Sequence, residues 1–268
     1  MSKFASMTDA LDPDRIKLHL KTSRIGKKVV VYKSTASTND VARRYAKTGA
    51  NDGLVVLTEQ QTKGRGRAGN KWLAGIGDSV LCSILLTDCT INPEILSLAC
   101  AVATAEAIGR CAKAEAQIKW PNDVILNDKK VAGILVESRK IGKHIAFVIG
   151  IGINCHQQKE DFPAELQKIA TSIDIETGAV TDRIALIRRL LVSVEHWLDI
   201  AEAKQQKVID RWQKLSTQLH RRVTLVYNRK KFVGNCIGID PQQGLILQLD
   251  IGGIRMFHAA QTTIVKPT

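Results

Sequence analysis

The strand-like run Leu54-Val55-Val56-Leu57-Thr58-Glu59 leads into Gly64-Arg65-Gly66-Arg67-Ala68-Gly69-Asn70-Lys71-Trp72, and then into Gly75-Ile76-Gly77-Asp78 and Ser79-Val80-Leu81-Cys82-Ser83-Ile84-Leu85-Leu86. How this stretch is read decides the fold. The spacing Gly64-x-Gly66-x-x-Gly69 satisfies a dinucleotide fingerprint, and Asp88 lies near the ~20-residue distance of a ribose-binding acid. That motif also needs a helix opening inside the glycines, with the pyrophosphate on its N-terminus. Here a turn and a second strand follow instead, so a nucleotide-binding crossover is excluded. A P-loop fails as well, because Asn70 stands where that motif needs lysine. What remains is a loop suited to hold an anion beside a flat ring. Glycine allows close backbone approach, guanidinium groups fork onto carboxylate or phosphate, and the indole offers a stacking face. A solvated basic surface loop is the competing reading of the segment taken alone. The two arginines have no evident partners in sequence, so the loop is expected to be loose when empty and ordered by ligand.

Outward from the loop, elements alternate and then change texture. Asp12 caps a short lead helix with Pro13 at its first position, and Val29-Val30-Val31-Tyr32 reads as a strand. A helix is expected from about Thr38 to Lys47, N-capped by Ser37, with Asp40 making a box-like start. Asn92-Pro93-Glu94 opens another, whose Ile95, Leu98, Val102, Ala105 and Ile108 share one face. Gln117 to Trp120, Val124 to Asn127, Val131 to Glu137 and Ile145 to Ile151 follow as strands, with turns at Asn127-Asp128 and Ile141-Gly142. Helices are expected from Asp182 to Leu198 and from about Ala201 to Leu215. Beyond Arg222 only strands remain, turning at Asn228, Pro241-Gln242-Gln243-Gly244 and Gly252-Gly253, which indicates a small β-barrel. The class is α+β, a mixed sheet with packed helices and then a barrel.

Composition bounds the function. With 268 residues and 44% hydrophobic content the chain can hold one substantial core and a small second domain. Its six cysteines form no C-x-x-C pair, so neither a zinc site nor a disulfide framework is indicated. No apolar run approaches the ~18 residues of a membrane span, and no signal-peptide core is seen at the start, so a cytoplasmic protein without membrane attachment is expected. The net charge of +13 comes with a basic run from Lys204 to Lys231 that is either a solvated face or a docking surface for an acidic partner. No finger, zipper or helix-turn-helix accompanies it.

The segment Lys119-Trp120-Pro121-Asn122-Asp123 adds a lysine at a strand end whose direction the proline turn can set toward the glycine-arginine loop. With Ser37-Thr38-Asn39, Gln61, Gly64 to Trp72, Lys130 to Glu137 and Gly150-Ile151-Gly152-Ile153-Asn154 in this order, the chain from about residue 29 onward resembles the biotin protein ligases. That resemblance implies a mixed-sheet catalytic domain of the class II aminoacyl-tRNA-synthetase-like, biotin/lipoate ligase type over residues 29–217. It implies a preceding lead over 1–28 and an SH3-like barrel over 218–268.

It also implies the activity. Biotin and MgATP give biotinyl-5′-adenylate, and a lysine of a biotin carboxyl carrier domain, in acetyl-CoA carboxylase or another biotin-dependent carboxylase, takes the acyl group. Carried over by position, Ser37, Thr38, Asn39 and Gln61 would hold the ureido ring. Arg65, Gly66 and Arg67 would hold the carboxylate and then the phosphate, and Lys119 would sit at the same oxygens, making Lys119, Arg65 and Arg67 the catalytic candidates. Gly64, Gly69, Trp72, Asn122 and Asn154 would form the adenylate side, with Trp72 and Asn154 facing the adenine, and Asp123 is the candidate for Mg2+. No nucleophilic residue is needed, since positioned cations and backbone donors stabilise the anionic centres. Cys155-His156 reads as incidental, because neighbours on an extended strand face opposite ways.

About 28 residues precede Val29, too few for the winged helix of repressor-type members, so sequence-specific DNA binding is not expected. A lipoate or octanoate ligase or transferase of the same superfamily is the nearer rival, and a basic nucleic-acid-binding module the more distant one. A monomer and a homodimer both stay open.

Overall fold

A computed structural model describes residues 9–47, 49–141, 144–241 and 243–265. The turn at Gly142, the middle of the turn at Gln242 and the first eight residues lie outside the described residues. The catalytic-sized part of the chain is built on a seven-stranded sheet. Its strands are β1 (Val29–Tyr32), β2 (Val55–Thr58), β3 (Ser79–Leu86), β4 (Gln117–Lys119), β5 (Asp123–Leu126), β6 (Lys129–Ile141) and β7 (His144–Asn154). The order is β1-β2-β3-β7-β6-β5-β4. Only β1 and β2 run parallel, joined by a crossover through helix α2 (Thr38–Tyr45), and the remaining neighbours are antiparallel.

Alternation along the strands divides the side chains between two layers. On one face Leu54, Val56, Leu85 and Val148 pack against Val41, Ala42 and Ala46 of α2 and its end. On the other, Val55, Leu57, Val80, Ile84, Ile149 and Ile151 meet a layer formed by α3 (Pro93–Ala112), α5 (Arg183–Ala203) and α6 (Gln205–Leu215). Asn92 caps α3 by accepting from the Glu94 amide at 2.9 Å, as its Asn-Pro start predicts. The single expected stripe on α3 is too narrow: Leu96, Ala99, Cys100, Ala101, Ala103 and Thr104 are buried as well. A helix apolar all round belongs inside, and its alanines let sheet and helices approach it closely. Although α3 has the length and apolarity of a membrane span, it is a core helix here.

Three boundaries differ from the sequence reading. Strands β6 and β7 extend well beyond their hydrophobic centres, because a long antiparallel pair continues to satisfy its backbone after the buried stretch ends. Ala201 to Ala203 belong to α5, and the break falls at Lys204, whose φ and ψ of −152° and 74° leave the helical region. Helix α4 (Ile173–Thr177) was not foreseen. It is a single turn, capped by Ser172 and ended by Gly178 at φ 66°, too short to show periodicity.

The lead is continuous with this core. Helix α1 (Pro13–Lys17) starts as expected, with Asp12 accepting from the Arg15 amide at 2.7 Å, and Leu11, Ile16 and Ile25 are buried among the sheet and α5. Glu195 of α5 accepts the Arg24 and Ile25 amides at 2.8 and 2.7 Å. Arg183, 1% exposed, donates to Asp9 and to Glu59 at 2.5 and 2.7 Å. His156 bridges Asp174 at 2.7 Å and Asp9 at 3.1 Å. The Cys155 thiol faces the other way into the core, where burial pushes its pKa up, so the two side chains do not form a pair.

The second sheet is antiparallel, with strands β8 (Arg222–Tyr227), β9 (Lys230–Asp240), β10 (Gly244–Leu249), β11 (Ile254–Phe257) and β12 (Thr262–Val265) in the order β11-β10-β9-β8-β12. Asn228 and Arg229 take φ of 48° and 64° at its first hairpin, the mirror-image turn that suits twisted strands. The Arg255 guanidinium lies 4.6 Å from the Phe232 ring centre. Gln218 ties this unit to the first by accepting the Trp120 amide at 2.9 Å.

The His156 cluster makes stability depend on pH. Burial alone would lower the imidazole pKa, but the bonds and charges of Asp174 and Asp9 outweigh it and push it up to about 9. A raised folded-state pKa contributes stability that is full below the unfolded value near 6.5 and is lost as pH climbs through 9. Urea midpoints of the wild type and His156→Gln should therefore differ most near pH 6 and converge by about pH 10; a constant gap across that range would contradict the ion-bridge assignment.

Candidate functional site

On the α2 face of the large sheet, beyond the end of that helix, lies a cleft of about 1190 Å³. Its floor is a patch without side chains. Gly150 and Gly152 of β7 and Gly133 of β6 all project to this face. A Cβ on Gly150 would stand 2.5 Å from Asn39 Oδ1, one on Gly152 would stand 2.6 Å from the Trp72 ring, and one on Gly133 would stand 3.1 Å from the same ring. The Gly-x-Gly pattern is therefore steric: two side chains from elsewhere lie flat where strand side chains would be.

One end of the cleft is neutral and polar. Ser37, Thr38 and Asn39 open α2 and are almost fully buried. Ser37 is the N-cap by position but makes no side-chain capping bond, which leaves its hydroxyl on the cleft wall. Gln61 Oε1 accepts the Thr38 amide at 2.8 Å, so the Gln61 carboxamide is fixed in orientation with its NH2 as the remaining group. Ser83, in the middle of β3, reaches Thr38 Oγ1 at 2.7 Å and Asn39 Oδ1 at 2.5 Å.

The loop after Gln61 folds back over the floor. Trp72 donates its amide to Gly64 O at 3.1 Å, Gly66 donates to Asn70 O at 2.7 Å, and Ala68 and Gly69 turn the chain at φ of 53° and 79°. A Cβ on Gly64 would collide with Trp72 O at 2.5 Å. The arginines are not without partners, contrary to expectation. Arg65 forks onto Asp40 at 2.7 and 2.8 Å, with Glu137 at 3.6 Å, and the bond to Asp40 raises the Arg65 pKa and lowers that of Asp40. Asp40 is thus the loop's anchor rather than half of a capping box. Arg67 donates to Ala259 O at 2.7 Å and contacts Asn122 Oδ1 at 3.3 Å.

The far end of the cleft is charged. Lys119 and Asp123 face each other across β4 and β5, and both line the wall together with Asn122, which donates to Ile134 O at 2.6 Å. Lys130, which sequence reasoning did not single out, places its Nζ 2.6 Å from Asp123 Oδ1 and 5.7 Å from the Trp72 ring centre. The signal is its position directly before the floor strand's first buried pair, Val131-Ala132, but a lysine beside a turn is usually solvated. Asp123, the expected magnesium candidate, therefore has one oxygen against that ammonium, and a ligand role would fall to its other oxygen. Among the described residues no three His, Cys, Asp or Glu side chains cluster to hold a metal.

Asn154 departs from its expected role. It shares the parity of Gly150 and Gly152, but the 169–171 segment pairs with Lys130 and covers it. Its Nδ2 donates to Thr171 O at 2.9 Å, and its Oδ1 accepts from Gln157 at 3.3 Å. It does not line the cleft. Two further walls have no site role in the sequence reading, Glu137 on β6 and the 261–263 segment of the second sheet. The arrangement suits an elongated ligand with a heterocycle able to donate and accept at one end and an acid at the other. Trp72 Nε1 is buried and has no hydrogen-bond partner among the described residues.

A sequence profile of the Biotin/lipoate A/B protein ligase family matches residues 31–154. The bifunctional ligase/repressor BirA of Bacillus subtilis is 31% identical over 93% of this chain and 78% of its own length. The biotin–[acetyl-CoA-carboxylase] ligase of Mycobacterium tuberculosis is 32% identical over 91% of this chain and 93% of its own. Among solved structures, the biotin protein ligase of Aquifex aeolicus in complex with biotin and ATP superposes with a TM-score of 0.76 at 25% identity, covering 90% of this chain and all of that one.

The glycine floor can be tested without any ligand. Gly152→Ala forces the Trp72 ring off the sheet, and overpacking of this kind costs about 1–3 kcal/mol. A loss of that size in urea denaturation, with a red-shifted tryptophan emission, is expected; unchanged stability and emission would mean that the ring does not rest there.

Proposed function

The chain belongs to the biotin protein ligase family, and we propose that this cleft carries out both half-reactions of a biotin protein ligase. The observation that carries this reading is the pairing of a buried neutral polar end, Ser37 to Asn39 with Gln61, and a cationic end, Arg67, Lys119 and Lys130, across a floor of glycines. In the first step a biotin carboxylate oxygen bonds to the α-phosphorus of ATP and pyrophosphate leaves. In the second the lysine amine of a carrier domain attacks the acyl carbon, the C–O bond to AMP breaks, and the amine loses a proton. Both steps concentrate negative charge on oxygens, and fixed cations that meet it there lower the barrier.

Gln61, through its free NH2, and the hydroxyls of Ser37 and Thr38 address the ureido ring. Arg67, Lys119 and Lys130 meet the carboxylate and phosphate, with Gly66 admitting the backbone close to them, and Trp72 forms the flat wall between the two ends. Arg65 acts through its fork with Asp40, holding the loop over the ring end. Gly64 and Gly69 shape the loop, and Asn122 steadies Arg67. Magnesium bound with ATP would neutralise phosphate charge, and Asp123, one of whose oxygens meets Lys130 at 2.6 Å, is the carboxylate that would be offered to it. The second sheet, read as an SH3-like barrel over 218–268, closes the phosphate end through Ala259 and the 261–263 segment. The carrier is the biotin carboxyl carrier domain of acetyl-CoA carboxylase or a related carboxylase. Operator binding is not part of this reading. A cytoplasmic monomer or homodimer completes it.

A lipoate or octanoate ligase is disfavoured by the polar end, because an aliphatic chain would leave buried amide and hydroxyl groups without partners at about 1–3 kcal/mol each. ATP–pyrophosphate exchange should be supported by biotin and not by lipoate or octanoate; the reverse preference would overturn the ligase reading. Lys119→Gln and Lys130→Gln should each slow biotin-dependent exchange by about one to two orders of magnitude, since a hydrogen bond to a charged group contributes roughly 1.5–3 kcal/mol. Wild-type rates at saturating biotin and ATP in either variant would remove that lysine from the catalytic set.

A further inference from the structure

Behind the neutral end of the cleft runs a chain of hydrogen bonds with a carboxylate at its root. Glu137 Oε2 accepts from Asn39 Nδ2 at 2.7 Å and from Arg43 Nη2 at 2.8 Å, with Arg65 at 3.6 Å. A carboxylate only accepts, so the Asn39 amide has one admissible orientation, NH2 toward Glu137 and Oδ1 toward Ser83. Ser83 has one proton and two oxygen neighbours, Asn39 Oδ1 at 2.5 Å and Thr38 Oγ1 at 2.7 Å. The amide oxygen cannot donate. The Ser83 proton therefore goes to Asn39. Thr38 Oγ1 has two oxygens within reach, Ser83 Oγ at 2.7 Å and Gln61 Oε1 at 3.1 Å, and the shorter contact to Ser83 takes its proton. With its own proton directed inward, the Thr38 hydroxyl presents lone pairs to the cleft. Next to it, Gln61 has its oxygen held by the Thr38 amide and offers NH2.

We propose that Glu137 is a positioning residue which, through Asn39 and Ser83, sets Thr38 as a hydrogen-bond acceptor beside the Gln61 donor and so fixes the pattern that a cyclic urea, with its N–H groups and its carbonyl, requires. This rests on the biotin ligase reading. Ser83 is fully buried and Asn39 is 4% exposed, so water does not compete along the relay, and an imposed polarity is transmitted rather than averaged. The Gly150 position belongs to the same device, because a Cβ there would push the Asn39 carboxamide out of line.

The test is steady-state biotin-dependent ATP–pyrophosphate exchange by the full chain. Glu137→Gln makes the root ambiguous, since a carboxamide can turn either oxygen or nitrogen to Asn39. Ser83→Ala cuts the relay in its middle and leaves Glu137 and its ion pairs in place. Each should raise the KM for biotin by roughly tenfold or more, with kcat and the KM for ATP within about twofold of wild type. The double variant should be no worse than the poorer single one, because two cuts in one chain remove the same information. An unchanged biotin KM in either variant, effects that multiply in the double variant, or a loss confined to kcat would overturn the relay while the ligase reading stands. Should Glu137→Gln fail to fold, Ser83→Ala decides alone by the same KM criterion. If the wild type uses lipoate and not biotin, the ligase reading falls first, and a relay aimed at a cyclic urea falls with it.

Discussion

The absence of side chains at Gly133, Gly150 and Gly152 is the constraint on which the site depends. On a sheet face largely filled by apolar side chains beneath α2, three missing side chains open a depression past the body of that helix, and two side chains, Asn39 from its first turn and Trp72 from the loop, settle into it. Asn39 and Trp72 would each meet a Cβ at 2.6 Å or less if β7 carried alanine at its two glycines. From that follow the position of the Gly64 to Trp72 loop, which must lie over the floor to seat the indole, and the placing of the α2 N-terminus beside Ser83. The hydrophobic layers on both faces are generic. The cleft is specific because the core is interrupted at these positions.

A second feature is that the charges of the cleft are paired before any ligand arrives. Arg65 forks onto Asp40, with about a third of each side chain exposed, and Lys130 rests on Asp123 with a similar exposure. Ion pairs in such surroundings contribute about 0–1 kcal/mol, so the pairs orient these cations at little cost in later exchange. An incoming carboxylate or phosphate can compete for Lys130 without a large penalty. Arg65, held by two oxygens of one carboxylate and flanked by Glu137, is better placed to keep its partner. The first ion pair therefore shapes the loop, and under the proposed function the second would hold a cation ready for the reacting oxygens.

Most of the scaffold was legible in the residues. Caps at Asp12 and Asn92, alternating apolar strands, and the turn and strand after Gly69 are local signals, and local signals set local structure. The Gly-Arg loop, Ser37 to Asn39, Gln61 and Lys119 stand out in sequence because unusual residue types crowd into short segments there, and the structure brings them to one cleft. What stayed hidden was partner choice across long sequence separations. Nothing near Arg65 indicates Asp40, nothing near Asn39 indicates Glu137, and Ser83 looks like one more small residue in a buried strand. Asn154, placed at the adenine by the family resemblance alone, is hidden for the same reason: a segment more than a dozen residues later covers it. Lys130 was passed over because a lysine beside a turn is ordinarily solvated.

In the proposed function biotin binds in this glycine-floored cleft, with the loop folded over it. Amide hydrogen exchange with and without biotin tests it most directly. Slower exchange over residues 61–72 and at the start of α2 when biotin is added is the result this account predicts. Identical exchange in those segments at saturating biotin, or protection confined to the C-terminal sheet, would contradict it.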